Sequence, residues 1–235
     1  MAKKIVELQA MHVQFLIVCG ERFIHPNVVY RTNFGKWDAV NFGAKFLPVK
    51  AKVVVLNDVD TKIHNFESAH KFLASKAQVI YCRVKVPAGP QLKFYKILDP
   101  IRARFHICAS GELMLINIQV FKRLLPIPPC IAEDSYLLFK ALELGCRPHF
   151  CTEAYVTTKR TSNRTEEEAY KSRTTLGIYQ ALSCSKPKPV VRVFYYLLPA
   201  FSPLLMLFGR DGVAWVKGIR KAIDASKPEK QVTKF

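Results

Sequence analysis

A layered α/β fold on a mostly parallel sheet is what this sequence predicts, and three observations predict it. Short apolar runs alternate with helix-patterned segments over residues 13–182. Half of the 235 residues are hydrophobic and 23% are charged, which suits one large core and excludes a disordered or collagen-like chain. The prolines of that stretch fall between the segments, and Gly20 and Gly145 end two of them, where turns belong.

Residues 13–19 (VQFLIVC), ended by Gly20, read as a strand buried on both faces, and residues 27–31 as a shorter one. Residues 37–47 are helical, with Val40, Ala44 and Leu47 on one side and Pro48 as the stop. Residues 52–56 (KVVVL) are the clearest strand, β-branched and continuous. Residues 66–76 are helical, and residues 78–86 return to strand before a turn at 87–90. Further on, residues 113–116 are strand-like and 118–125 helical, and Pro126, Pro128 and Pro129 mark an ordered loop. Residues 133–144 form a helix with Leu137, Leu138, Ala141 and Leu144 as its apolar stripe and Gly145 as its stop. Residues 165–182 form another, and Glu166, Glu167 and Glu168 complement its dipole.

Residues 183–189 (SCSKPKP) read as a linker, dividing a domain of residues 1–182 from a tail of residues 183–235. Residues 193–209 are the most apolar stretch. About 17 residues is marginal for a spanning helix, and Pro199 and Pro203 interrupt it. Residues 211–225 are amphipathic: Trp215, Ile219 and Ile223 share one face, and Lys217, Arg220 and Lys221 point elsewhere.

Lys and Arg number 36 against 18 Asp and Glu, a net charge of +18 that implies a polyanionic neighbour. Nucleic acid, an anionic membrane surface and a phosphate-bearing substrate all carry that charge. The basic residues do not interleave regularly with aromatics, which disfavours nucleic acid. Seven scattered cysteines without a C-x-x-C do not read as a disulfide framework, and a reducing compartment is the simpler expectation. No secretory leader is expected, because residues 1–7 lack a following apolar region.

No P-loop, G-x-G-x-x-G, H-E-x-x-H or G-x-S-x-G occurs. Cys146, His149 and Cys151 cluster, but a structural zinc site needs four ligands, so ordinary packing is expected of them. Asp58 and Asp60 stand out at the end of KVVVL. In parallel α/β sheets ligands collect at the carboxyl ends of strands. Two carboxylates there can hold a hard divalent cation whose other ligands are phosphate oxygens. The same pair equally fits a solvated loop or the cap of the next helix. Glu133 and Asp134 open a helix after the proline loop, where carboxylates are often only dipole complements. Ser110-Gly111-Glu112 is a loop able to approach a ligand closely.

Taken in order, Gly35-Lys36-x-x-Ala39-x-Asn41, the strand into Asp58-x-Asp60-Thr61, Ala109-Ser110-Gly111-Glu112 and Glu133-Asp134-Ser135 resemble the family-2 glycosyltransferases. The resemblance covers residues 13–182. It implies a GT-A fold, Rossmann-like with flanking helices, and an inverting, metal-dependent transfer of sugar from a nucleotide-sugar donor. Carried over, Asp58 contacts the nucleotide side and shares with Asp60 the Mg²⁺ or Mn²⁺ at the diphosphate. Lys36 lies near the nucleotide, and Asp134 is the general base. Arg173 matches the arginine of the Q-x-x-R-W of processive members and meets the diphosphate; the rest of that motif is missing, so no processive polymerase is implied.

The start of the chain departs from the pattern. Residues 5–11 match the tail of the family's first helix, and residues 13–19 its second strand, ending in Cys19-Gly20-Glu21 in place of an aspartate pair. A first strand and its loop are expected upstream, with a shortened reading of the gene the favoured explanation. The main expectation is a glycosyltransferase on the cytoplasmic face of a membrane, with a soluble cytoplasmic location second. Its acceptor is lipid-linked, glycan or protein. The alternative is a non-catalytic module that keeps the fold without the donor site.

Overall fold

The structure is a computed structural model that describes residues 1–226 except Asn33, Lys76, Pro90 and Ser162. The expected tail residues 227–235 therefore lie outside the described residues. Helix α1 (Ala2–Ala10) precedes strands β1 (Ile17–Cys19) and β2 (Val28–Tyr30), helix α2 (Lys36–Gly43), a 3-10 turn (Ala44–Phe46) and strand β3 (Val53–Asn57). Then come β4 (Lys62–His64), α3 (Phe66–Ser75), β5 (Val79–Lys85), α4 (Gln91–Phe105), β6 (Leu113–Asn117) and α5 (Ile118–Leu124). Helix α6 (Glu133–Glu143), strand β7 (Pro148–Thr157) and helix α7 (Arg164–Ser183) follow. The chain ends in α8 (Pro189–Phe201), a 3-10 segment (Ser202–Phe208) and α9 (Arg210–Ser226).

The main sheet runs β3-β6-β5-β7-β4, and β1 pairs with β2 in a separate parallel ribbon. Strand β5 sends Val79 and Tyr81 into one core and Ile80, Cys82 and Val84 into the other. Strand β6 divides Met114 and Ile116 from Leu113 and Leu115 in the same way. Period-two alternation between two apolar faces is what makes these strands continuous apolar runs in the sequence. The first core is closed by Phe121, Leu137, Ile178 and Tyr195 of α5, α6, α7 and α8, and the second by Ala69 and Leu73 of α3. Ile116 is fully buried between β3 and β5. Ile116→Val is therefore expected to cost about 0.5–1.5 kcal/mol in urea unfolding, and an unchanged midpoint would contradict that packing.

The layered α/β architecture is as expected, but the strand directions are mixed. Only β5–β7 is a parallel pair in the main sheet; β6 runs antiparallel to β3 and β5, and β4 to β7. The cause lies in α4 and the loop after it. They keep the chain at the carboxyl end of β5, so β6 starts there without a return crossover. Strands β3 and β5 both oppose β6 and so share a direction, which leaves Asp58 at a carboxyl edge.

Strands β4 and β7 and helix α4 are additions to the sequence reading. Helix α4 contains Pro100, and much of its inward side is polar. Arg83 Nε donates to Asp99 Oδ2 at 3.0 Å, and Arg102 donates to Asp99 Oδ1 at 3.2 Å and to Ser110 Oγ at 2.7 Å. A helix whose buried stripe is an ion pair shows no clear apolar period. In β7 the polar Thr152 and Glu153 sit where the register with β5 shifts, so the alternation breaks mid-strand.

The tail is packed onto the cores. Tyr195 Oη donates to the Ile107 carbonyl at 3.0 Å, and Val191, Leu198 and Ile219 join the first core. The apolar face of α9 turns inward, with Trp215 and Ile219 buried and Lys217, Arg220 and Lys221 exposed. Pro189–Phe208 is long and apolar enough to cross a membrane by length and composition, with a mean hydropathy of 1.7. About a fifth of its most apolar window is buried (22%).

Candidate active site

The carboxyl edge of β3 is where the site assembles. Gly35 caps α2 with φ 110°, a backbone region that favours glycine, and delivers Lys36 as the first helical residue. Asn41 then clamps the proline loop, donating to the Ile127 carbonyl and accepting from the Ile127 amide, both at 2.8 Å. Those two bonds fix α2 on the body and so aim Lys36. Its Nζ donates to Asp58 Oδ2 at 2.6 Å.

Residues 58–61 form a turn. The Thr61 hydroxyl and amide both donate to the Asp58 carbonyl, at 2.8 and 3.3 Å. The Asp58 amide reaches the Glu112 carbonyl at 3.4 Å, and Asn57 Nδ2 donates to the same carbonyl. Antiparallel β6 begins beside the end of β3, so the Ser110-Gly111-Glu112 loop arrives at Asp58.

From that loop the Gly111 amide donates to Asp134 Oδ2 at 2.7 Å, while Asp134 Oδ1 accepts from the Ser135 amide at 2.6 Å. A Cβ at Gly111 would stand 3.0 Å from Asp134 Cβ and 3.2 Å from Glu133 Oε1, so glycine permits the approach. Burial pushes Glu133 up to about 8; Asp134 adds to the shift and Lys36 opposes it. Burial also raises Asp134, against the pull of Lys36 and the two backbone amides. The crowded surroundings disfavour the Lys36 charge, but Asp58, Glu133 and Asp134 outweigh them and hold it above its ordinary value. Burial raises the proton affinity of Asp134, which makes its ionised form a stronger proton acceptor.

Asp58, Lys36 and Asp134 are thus brought together. Asp60 is not part of that cluster: it is exposed and lines a neighbouring groove of about 910 Å³ with Lys3, Lys4, Lys62 and Lys159. Helix α1 walls this groove, with Lys4 Nζ donating to Asn57 Oδ1 at 2.8 Å and Glu7 Oε1 accepting from the Ile63 amide at 2.7 Å. Among the described residues no group of three His, Cys, Asp or Glu converges on a metal position. Hard carboxylate oxygens of the kind Asp58 and Asp60 carry are what Mg²⁺ takes beside phosphate oxygens. Here, however, Asp60 opens on the neighbouring groove and the two do not converge on one position. Arg173 is exposed on α7, 5.9 Å from the Tyr170 ring centre. Of the cysteine cluster, Cys146 and Cys151 are buried and His149 stacks on Phe72 at 4.4 Å.

One residue was not singled out from the sequence. Arg160 pairs with Glu112 and lies 5.2 Å from the same Tyr170 ring. Its Nε is buried with no hydrogen-bond partner among the described residues. In the sequence it sits in a Lys159-Arg160 step that reads as a solvated basic turn. Only the position just past β7, at the shared carboxyl edge, would have marked it.

No protein-family model and no curated protein sequence matches the chain. Among solved structures, it is similar to the mannosyltransferase PcManGT from Pyrobaculum calidifontis, in complex with GDP-Man and Mn²⁺. That match has a TM-score of 0.67 at 18% identity and covers 88% of this chain and 72% of that one. TarS 1-349 from S. aureus matches with a TM-score of 0.49 at 16% identity, over 87% of this chain and 65% of that one. GalNAc-T7, with UDP, GalNAc and Mn²⁺, matches at 0.48 and 13% identity, over 88% and 45%. The mannosyltransferase likeness, together with the carboxylate edge, gives this chain the GT-A fold of the glycosyltransferases.

Proposed function

We propose that the protein transfers a sugar from a nucleotide-diphosphate donor to an acceptor hydroxyl, with inversion at the anomeric carbon. The observation that carries this reading is the convergence of Lys36, Asp58, Asp134 and Arg160 on one sheet edge. Asp134 takes the proton of the acceptor hydroxyl as its oxygen bonds to the anomeric carbon and the nucleoside diphosphate leaves from the opposite side. Lys36 and Arg160 offset the charge that develops on the leaving diphosphate, with Arg173 as the outer cation of the Tyr170 stack. A Mg²⁺ or Mn²⁺ at this edge would be held by Asp58, and by Asp60 once that side chain turns from the neighbouring groove, and would supply further neutralisation of that diphosphate. Asp58 also serves the nucleotide side of the donor.

The test is a panel of nucleotide sugars titrated with Mn²⁺, beginning with GDP-mannose because PcManGT was solved with it. Metal-dependent binding of one donor is expected, weakened about tenfold or more by Asp60→Ala. Binding that survives both chelation and Asp60→Ala would remove the metal role. A second reading, a non-catalytic module, is favoured by one contact: α1 lies across the 58–61 turn through Lys4 and Glu7. Absence of binding to every donor in the panel would select it.

The proposed working place is the cytoplasmic face of a membrane. It is supported by the apolar Pro189–Phe208 stretch and the basic surface of α9. The acceptor belongs to the lipid-linked, glycan or protein classes.

A further inference from the structure

We infer that residues 189–209 lie in the plane of an anionic phospholipid leaflet and do not cross it. The inference rests on the membrane placement just proposed and names how the contact is made. A spanning segment would put its two flanks on opposite sides of a hydrocarbon layer about 30 Å thick. Here both flanks belong to one packed body. The chain enters α8 a few residues after α7 ends, and leaves it into α9, which packs along α7.

That packing is close. Trp215 Nε1 donates to Glu167 Oε1 at 2.5 Å, and a Cβ on Gly218 would lie 2.6 Å from the Glu168 carbonyl oxygen. The middle of α8 is tied down as well. Tyr195 Oη donates to the Ile107 carbonyl, and the Tyr195 carbonyl accepts from Tyr179 Oη at 3.0 Å. At the far end Gly209 turns the chain with φ 71°, and Gly212 abuts the Leu205 carbonyl. Separating the ends of this unit across a bilayer would tear α9 from α7.

What remains outward is an apolar ridge. Tyr196 is 83% exposed, Leu204 64% and Leu207 84%, with Val193 and Leu197 beside them. Isolated exposed leucines are ordinary, but a contiguous ridge of this kind marks a contact surface. Its neighbours select the occupant. Arg192, Arg210, Lys217 and Arg220 are exposed around it, and the adjacent carboxylates Asp211 and Glu168 are already paired with Arg164 and Lys221. An apolar ridge rimmed by cations that have no ion pair among the described residues suits acyl chains below anionic head groups, whereas an acidic protein partner would leave the ridge uncovered.

The test uses the full chain with two kinds of vesicle, phosphatidylcholine alone and phosphatidylcholine with about 30 mol% phosphatidylserine. The protein is expected to pellet with the anionic vesicles, to stay largely in solution with the neutral ones, and to be released by alkaline carbonate. Leu204→Glu with Leu207→Glu should weaken binding on the order of 100-fold, roughly tenfold for each leucine kept from the acyl region. Arg210→Gln with Lys217→Gln should weaken it about tenfold and flatten its salt dependence. All four side chains are on the surface, so the thermal midpoint of each double variant should match the parent.

Retention through the carbonate wash would overturn the in-plane arrangement and leave the membrane placement standing. Equal pelleting with neutral vesicles would overturn the head-group role, and parental binding by the leucine variant would overturn the ridge. No pelleting at all, with donor binding intact, would remove this inference and the membrane placement but not the sugar-transfer reading.

Discussion

Asp134→Asn is expected to leave donor binding nearly intact and to lower turnover by on the order of 10²–10⁴, the usual worth of a positioned general base. The geometry makes the substitution a clean probe. The oxygen of the introduced asparagine can still accept one of the two amides that Asp134 holds, from Gly111 or Ser135, but its NH₂ group then faces the other. That mismatch costs about 1 kcal/mol of stability. A purely structural carboxylate at the start of α6 would therefore show the stability loss alone. Single-turnover rates beside urea midpoints separate the two roles, and a parental rate with lowered stability would remove Asp134 from the chemistry.

The reach of the sequence differs between fold and site for physical reasons. Strands β5 and β6 were legible because both faces are buried, so their apolar runs need no alternation, and the edge strand β3 because its valines are β-branched, although Val55 is exposed. Helix α6 was legible from its stripe and from Gly145, whose φ of 74° ends it. Helix α4 was hidden because Asp99 and Arg102 replace an apolar stripe with a buried ion pair. Strand direction was hidden because alternation of strand and helix does not say whether a connection returns to the starting edge.

At the site, Lys36, Asp58 and Asp134 could be proposed because short motifs recur in a fixed order. Their meeting is a property of the loop at Gly111, which only a close approach explains. Asp60 shows the limit of spacing as a guide. Two residues from Asp58, it faces a different groove because the turn at 58–61 reverses the chain between them. Arg160 shows the converse: it is ordinary in sequence, yet β7 carries it to the same edge as Asp58. The apolar face of residues 211–225 could also have met a membrane or the protein itself, and its packing on α7 decides between them.

Glu133→Gln is expected to stabilise the protein at alkaline pH by on the order of 3 kcal/mol. Glu133 is 6% exposed, and burial raises its carboxyl from the ordinary 4.5 to about 8. Between those values the unfolded chain has released a proton that the folded protein still holds, so stability falls as pH rises through this window. The contribution is fully present below about 4.5 and lost above about 8. A shift of this size is worth several kcal/mol, since each pKa unit is about 1.4 kcal/mol.

Glutamine keeps the shape and cannot ionise, so Glu133→Gln should lose most of that slope. Asp134→Asn should reduce it less, because Asp134 only adds to a shift that burial dominates. His106 does not confuse the measurement. Burial lowers it to about 4, so its effect on stability falls below its ordinary value of 6.5 and is spent in the alkaline range. Urea midpoints at about pH 6.5 and about pH 9 would read the difference. A slope as steep in Glu133→Gln as in the parent would mean that the retained proton sits on another group, and the buried Glu133 would then be an ionised partner of Lys36.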